Sequence, residues 1–269
     1  MKWDKLTAFV SFALLFWACS ESDNVSGENR IASGMSIPCN SDDCDYMTDE
    51  RDGKSYRIVK IGDQWWMAEN LNFDYKVDSM SAEYREKIAP IAYMVNDSTF
   101  ETFCNTDDCA VYGRYYTWAA AMDGAAVFSD DGITCGFGKA YPLENGRCCR
   151  YVSYCYPSYP IRGVCPKGWH LPSNDDWKKL YSVVKYHYAM HAKGFEEWSD
   201  ATDAFGFSAL PAGGNSKGKF YDVGSFAYFW SSGDSSLTTS NCWYLNAGAA
   251  GIMSGDSERG RFNVRCVKD

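Results

Sequence analysis

Twelve cysteines in 269 residues constrain the fold of this chain more than any other feature of its sequence. Clustered cysteines usually serve as disulfides in exported proteins or as zinc ligands. No CxxC pair occurs anywhere in the sequence, and this argues against a zinc site. If the chain is exported, we therefore expect a fold that is crosslinked by disulfides.

The N-terminus has the pattern of a signal peptide. A short positive region with Lys2 and Lys5 precedes an apolar run over residues 6–18. This run is shorter than the roughly 20 residues that a bilayer span needs. It ends in a small residue before Cys19, which resembles the lipobox of bacterial lipoproteins, although Trp17 is bulky for that motif. The alternative is a simple signal peptide that is cut elsewhere and leaves Cys19 free.

We predict cleavage before Cys19, lipid attachment at Cys19, and a membrane partner that is reached through this anchor. Residues 19–36 are polar and are predicted to form a lipidated, flexible tether. Ser20, in place of Asp, resembles the sorting signal for the outer membrane. Glu21 and Asp23 resemble the acidic stretch that sends some lipoproteins to the cell surface. We expect an outer-membrane location with possible exposure at the cell surface.

The mature chain is acidic. Removing the signal peptide, residues 1–18, takes away Lys2, Lys5 and Asp4, so the formal net charge changes from −9 to −10. Because an acidic surface repels phosphate backbones, we expect no nucleic-acid partner. Residues 37–269 are long enough for a sizeable core and are predicted to form one domain.

A short repeat, Cys-Asn-(Ser/Thr)-Asp-Asp-Cys, occurs at residues 39–44 and again at 104–109. Each copy encloses four residues that favour turns. We predict two local disulfide clips, Cys39–Cys44 and Cys104–Cys109. A pair of calcium loops is the alternative, but the spacing matches no EF-hand and we expect no metal.

Local sequence patterns predict two secondary-structure elements, a β-hairpin and a helix. Residues 55–61, a Gly-Asp turn and residues 64–67 predict a β-hairpin. Ser173 is a good N-cap, and Asp176 completes a pattern like a capping box. A helix is therefore predicted over about 173–192, with one apolar stripe. The stripe consists of Trp177, Leu180, Tyr181, Val184, Tyr188 and His191.

The rest of the chain predicts an α+β fold with short strands. Strands are expected at 226–231, 242–245 and 263–267, and a helix or strand–helix junction at 112–122. A short helix is expected at 81–88. Residues 129–166 hold Gly, Pro and five cysteines and predict an irregular, crosslinked insertion.

The sequence predicts no catalytic site, metal site or cofactor. It contains no GxSxG, HExxH or GxxxxGK[ST] motif. His187 and His191 are four residues apart and could share a helix face and one metal. His191 falls on the apolar stripe, however, and no third ligand lies at a fitting spacing, so packed or solvated histidines are favoured. His170 has no nucleophile paired with it and is predicted to be structural.

Aromatic residues make up 16% of the chain. Aromatic faces pack against the C–H faces of sugar rings, so one interpretation is sugar binding; the other is an aromatic-rich core. The tryptophans in or beside predicted elements are expected in the core. They are Trp65, Trp118, Trp169, Trp177 and Trp230.

Six motifs occur in order over residues 53–269. They are GDQWWMAENL at 62–71, YGRYYTW at 112–118, CPKGWHLPS at 165–173, FSALPAGG at 207–214, FWSS at 229–232 and VRCVKD at 264–269. Together they resemble the Fibrobacter succinogenes major paralogous domain family. Proteins of this family are mostly exported and often lipidated, and the family implies no established activity.

The family in turn resembles C-type-lectin-like domains and the formylglycine-generating enzymes, which implies a C-type-lectin-like fold with short twisted antiparallel strands. The chain has no Glu-Pro-Asn, Gln-Pro-Asp or Trp-Asn-Asp triplet and no paired redox cysteines in a Gly-Gly-Ser-Trp context. The chain departs from both relatives at their functional sites, so the resemblance implies the fold and not either activity.

The lectin-like resemblance also implies a long disulfide. In such a fold the first helix packs on a sheet that contains the last strand, so Cys165 is predicted to bond Cys266. Cys242 is the rival partner for Cys266. Under the first pairing, Cys242 remains as the odd thiol. Four insertion cysteines are expected to crosslink among themselves, with the adjacent pair bonded to different partners. They are Cys135, Cys148, Cys149 and Cys155.

Three functions remain open. The leading hypothesis is a binding or adhesion module for polysaccharide or an envelope protein. The second is a cysteine- or metal-dependent oxidase like the formylglycine-generating group. The third is a structural envelope protein without a small ligand.

Overall fold

A computed structural model describes residues 41–76, 100–105, 109–124, 127–129, 141–142, 148–149, 159–236, 239–255 and 260–269. The predicted signal peptide, the predicted tether, Cys39 and the predicted helix at 81–88 lie outside these ranges. The side chains of the four insertion cysteines lie outside them too.

The described part is mostly β-sheet, with two α-helices. The helices are α1 (Trp118–Ala121) and α2 (Asn174–Val184), and two 3₁₀ helices cover His187–Ala189 and Glu196–Trp198. The first eight strands are β1 (Cys44–Thr48), β2 (Ser55–Ile61), β3 (Gln64–Met67), β4 (Thr102–Phe103), β5 (Tyr115–Thr117), β6 (Tyr141–Pro142), β7 (Cys148–Cys149) and β8 (Trp169–His170). The remaining strands are β9 (Gly214–Ser216), β10 (Lys219–Tyr221), β11 (Phe226–Ser236), β12 (Thr239–Asn246), β13 (Ala250–Gly255), β14 (Gly260–Phe262) and β15 (Val267–Lys268).

The strands form antiparallel sheets. One sheet has the order β1-β2-β3-β15-β8, a second β10-β9-β14-β5-β4 and a third β11-β12-β13, while β6 pairs with β7. The chain is therefore an α+β protein that is rich in β-structure.

Helix α2 packs into a core that several sheets share. Its inward residues Trp177, Leu180 and Val184 join Trp66 of β3 and Trp243 of β12 in one buried cluster. The rings of Trp177 and Trp243 are stacked, with centroids 5.5 Å apart and an interplanar angle of 4°. Burying such large aromatic surfaces supplies much of the driving force for folding, and the helix is held against both the first and the third sheet.

The predicted hairpin and the start of the predicted helix are confirmed. Strands β2 and β3 pair across the turn at Gly62, whose φ of +61° favours glycine. The Ser173 side chain accepts from Asp176 N, and the Asp176 carboxylate accepts from Ser173 N, so the capping box forms.

The predicted end of the helix at 192 is wrong. Helix α2 ends at Val184, because Lys185 adopts a φ of +66° and its N–H caps the carbonyl of Tyr181. Tyr188 and His191 therefore do not continue the helical stripe. They lie in the segment of short 3₁₀ turns that follows.

The C-terminal strand also differs from the prediction over 263–267. The chain pairs as β14 up to Phe262 and again as β15 from Val267, and the residues between make irregular contacts with other elements. The junction predicted at 112–122 is present, as β5 followed directly by α1. Of the tryptophans expected in the core, Trp65 is half-buried and the others are buried.

Two predicted disulfides are present in the structure. Cys104 bonds Cys109, and Cys165 bonds Cys266 across a sequence separation of 101 residues. Cys44 is also disulfide-bonded, and its predicted partner lies outside the described residues. Cys242 is a free, buried thiol, and burial raises its pKa to about 12.

Candidate functional site

A row of rings, which we call the aromatic ladder, runs from the protein surface into the core after α2. It consists of Tyr186, His187, Tyr188, His191, Phe195 and Trp198. At the outer end, Tyr186 and Tyr188 stack with centroids 5.3 Å apart and an interplanar angle of 11°. At the inner end, His191 stacks on Trp198 at 3.9 Å. The ladder thus links a surface ring to buried rings within 13 positions of sequence.

Exposure falls sharply along the ladder. Tyr186 is 57% exposed, whereas His191 is 0% exposed and Trp198 is 1% exposed. The Trp198 indole N–H donates to the carbonyl of Ser225 at 3.0 Å, which anchors the inner end. The outer ring is therefore supported from beneath by a continuous row of ring contacts.

Backbone contacts hold the segment that carries these rings. The N–H of Ala192 donates to the carbonyl of Ala209, and the N–H of Ala209 donates to the carbonyl of Met190. The N–H of Thr202 donates to the carbonyl of Tyr188. The left-handed Lys185 turns the chain away from the α2 axis, so the ladder begins where the helix ends.

The two ladder histidines differ in environment. His187 is half-buried, and its Nε2 lies 3.0 Å from the carbonyl oxygen of Ala247. Burial, together with the nearby His187, lowers the pKa of His191 to about 4. His191 is consequently a neutral imidazole at physiological pH.

The third histidine lies in a separate cluster with two carboxylates. His170 Nδ1 is 2.8 Å from Asp269 Oδ1, and His170 Nε2 is 3.5 Å from Asp176 Oδ2. The Ser173 hydroxyl donates to Asp176 at 2.6 Å and not to His170. Because the imidazole faces carboxylates on both sides, the cluster joins the start of α2 to the C-terminal strand.

Within the described ranges, no group of three or more His, Cys, Asp and Glu side chains is placed to hold a metal ion. In this same part of the chain, no helix combines the length and the apolar character needed to cross a bilayer.

The chemistry available at the ladder is that of a binding surface. An exposed tyrosine ring that is stacked from below presents one face for packing against apolar C–H surface, and its hydroxyl can donate and accept hydrogen bonds.

Residues 59–268 match the family model described as the Fibrobacter succinogenes major domain. The chain belongs to this family. No curated protein and no solved structure matches it.

The motifs of the major domain family lie mainly in the interior. The Asn70 side chain donates to the carbonyl of Tyr112 at 2.9 Å, and a Cβ at Gly113 would lie 2.7 Å from that of Asn70. Asn263 donates to the carbonyls of Tyr112 and Arg114. These contacts join the first and second motifs to Asn263, the residue just before the last motif, in one buried framework, so the motifs define the scaffold of the family domain.

No motif in the sequence indicates Tyr186, Phe195 or Trp198. The apolar periodicity predicts Tyr188 and His191 on the buried stripe of a longer helix. The available signal is composition, since six of the 13 residues from 186 to 198 are aromatic or histidine.

Proposed function

We propose that this member of the major domain family is an exported binding module that contacts polysaccharide or another envelope component through the outer end of the aromatic ladder. The observation that carries this proposal is the 57% exposed ring of Tyr186, stacked on Tyr188. Exposed aromatic rings on a rigid support suit sugar binding, because ring faces pack on C–H faces without loss of side-chain entropy.

The proposal includes the location of the protein. Lipidation at Cys19 and the tether would hold the domain at the outer membrane, with the ladder free to meet extracellular polymer. A C-type-lectin-like arrangement is also proposed. It is supported by α2 packing against the sheet of β15 and by the Cys165–Cys266 bond.

The test uses non-lipidated chain, residues 20–269, in sedimentation with insoluble polysaccharides and on a glycan array. We expect a retained fraction that falls at least tenfold in Tyr186→Ala. Tyr159→Ala is the matched control, because Tyr159 is 60% exposed at a different place in the fold, and it should bind like wild type. Absence of wild-type binding to every polysaccharide, peptide and cell-surface fraction would leave the structural envelope role, and equal losses in both variants would reject the ladder as the site.

A further inference from the structure

We propose that His187 and His191 together bind one divalent transition-metal ion, such as Zn²⁺ or Cu²⁺, through one ring nitrogen each. This inference does not depend on polysaccharide binding. It rests on three observations about the two rings: unpaired nitrogens, a fixed tautomer and a fitting separation.

The first observation is that neither ring nitrogen of His191 has a hydrogen-bond partner, although the residue is fully buried. Buried polar groups in folded proteins nearly always have a partner, and an unpaired one costs free energy. A bound ion is one of the standard explanations for such an unpaired group, because a metal takes up the nitrogen lone pair.

The second observation concerns the tautomer of His187. Its Nε2 lies 3.0 Å from the carbonyl oxygen of Ala247, and a carbonyl can only accept, so Nε2 carries the hydrogen. The lone pair therefore resides on Nδ1. Histidines that bind metals usually donate their second N–H to a carbonyl or carboxylate in this way, which fixes the ring for coordination.

The third observation is the distance between the rings, whose centroids are 5.5 Å apart. For Zn–N bonds of about 2.05 Å and a tetrahedral angle, the centroids of two imidazoles on one ion lie roughly 5.2 Å apart. The observed separation therefore needs only a small adjustment. Stacking on Trp198 at 3.9 Å holds the His191 ring in place.

One charged group near the pair would favour a bound cation. The negative charge of Asp200 acts on His191. Since no third His, Cys, Asp or Glu completes a set within the described ranges, water would fill the other positions, and the affinity should be below that of four-ligand zinc sites.

The experiment is calorimetric titration of residues 20–269, carrying no polyhistidine tag, with Zn²⁺ and with Cu²⁺. We expect one ion per chain, and at least tenfold weaker binding in His187→Gln and in His191→Gln. The chain has three histidines, so His170→Gln is the matched control and should bind like wild type. No binding to wild type, unchanged affinity in His191→Gln, or a loss in His170→Gln would each overturn the proposal.

Pulsed electron paramagnetic resonance of Cu²⁺-loaded wild type decides the matter even if a variant fails to fold. Two coordinated imidazoles support the proposal. A spectrum with one imidazole or none refutes it.

Discussion

Arg265 Nε donates to Asn70 Oδ1 at 2.8 Å, and this bond joins residues that are 195 positions apart. The other guanidinium nitrogens donate to the carbonyls of Phe207 and Ser208. The charge also lies 4.5 Å from the ring centroid of Phe207. Arg265 is completely buried, and burial, followed by the nearby charge of Arg57, lowers its pKa to about 9. It remains charged at neutral pH and links three of the family motifs.

Replacing this guanidinium should be costly. Arg265→Met keeps much of the side-chain volume but leaves the Asn70 oxygen and two carbonyls without their donor. We expect a loss of roughly 3–5 kcal/mol in the free energy of unfolding, measured by urea denaturation. Lys179→Met, on the exposed face of α2, is the control and should change stability by less than about 0.5 kcal/mol. A similar small change for Arg265→Met would mean that the framework does not depend on this residue.

The two disulfides should differ in their contribution to stability. In the chain-entropy treatment, the Cys165–Cys266 bond, which closes a loop of about 100 residues, contributes roughly 4.7 kcal/mol. The Cys104–Cys109 bond closes a loop of about six residues and contributes roughly 2 kcal/mol.

Paired substitutions separate these contributions without creating new thiols. Cys165→Ser/Cys266→Ser should lower the melting temperature clearly more than Cys104→Ser/Cys109→Ser, as followed by differential scanning calorimetry. Equal decreases would show that loop length does not govern the effect.

The sequence predicts those elements that are determined by residues close together in the chain. The β2–β3 hairpin follows from alternation and a Gly-Asp turn, and the start of α2 follows from the capping box between Ser173 and Asp176. The end of α2 could not be predicted in this way. A positive φ favours glycine, and Lys185 gives no such signal in the sequence, while the ring contacts that follow it are tertiary.

The candidate site could not be predicted from local sequence patterns either, because it depends on tertiary contacts. The periodicity of apolar residues assigned Tyr188 and His191 to a helix face, because a 3.6-residue spacing continues past Val184 in the sequence. Distances between rings and the unpaired nitrogens of His191 arise only when the segment folds back on Trp198. By contrast, the Cys165–Cys266 pair matches the prediction, which came from the family resemblance and not from spacing.

Processing at the N-terminus gives a prediction that is independent of the fold. If Cys19 carries the lipid, Cys19→Ala should abolish metabolic labelling with a radioactive fatty acid and move the protein from the detergent phase to the aqueous phase, or leave it as uncut precursor. Cys242→Ser, which changes a buried thiol elsewhere, is the control and should leave labelling intact. Partitioning of Cys19→Ala into detergent as for wild type would contradict the lipoprotein assignment.

The pH dependence of stability should report on His170. Burial by itself would lower the pKa of His170, but the hydrogen bonds and charges of Asp176 and Asp269 outweigh burial and raise the pKa above the ordinary 6.5. A raised histidine pKa stabilises the fold fully below pH 6.5, and this stabilisation is lost as the pH rises through the folded-state pKa.

Asp176 determines the lowest pH at which the same cluster still stabilises the fold. Burial opposes its ionisation, but the hydrogen bonds from His170 and Ser173 prevail and lower its pKa from 3.8 to about 2. The stabilisation from this carboxylate is present above pH 3.8 and is lost as the pH falls through about 2. Both contributions are therefore complete between about pH 4 and pH 6.5.

A double-mutant cycle with His170→Gln and Asp269→Asn measures the interaction directly. At pH 5.5 we expect a coupling energy of roughly 0.5 kcal/mol in urea denaturation, small because Asp269 is half exposed. At a pH well above the folded-state pKa of His170, the imidazole is neutral and the coupling should fall towards zero. A coupling that stays constant from pH 5.5 to pH 9 would show that His170 interacts with Asp269 as a neutral hydrogen-bond donor, and that the charge of the imidazole does not stabilise the join between α2 and the C-terminal strand.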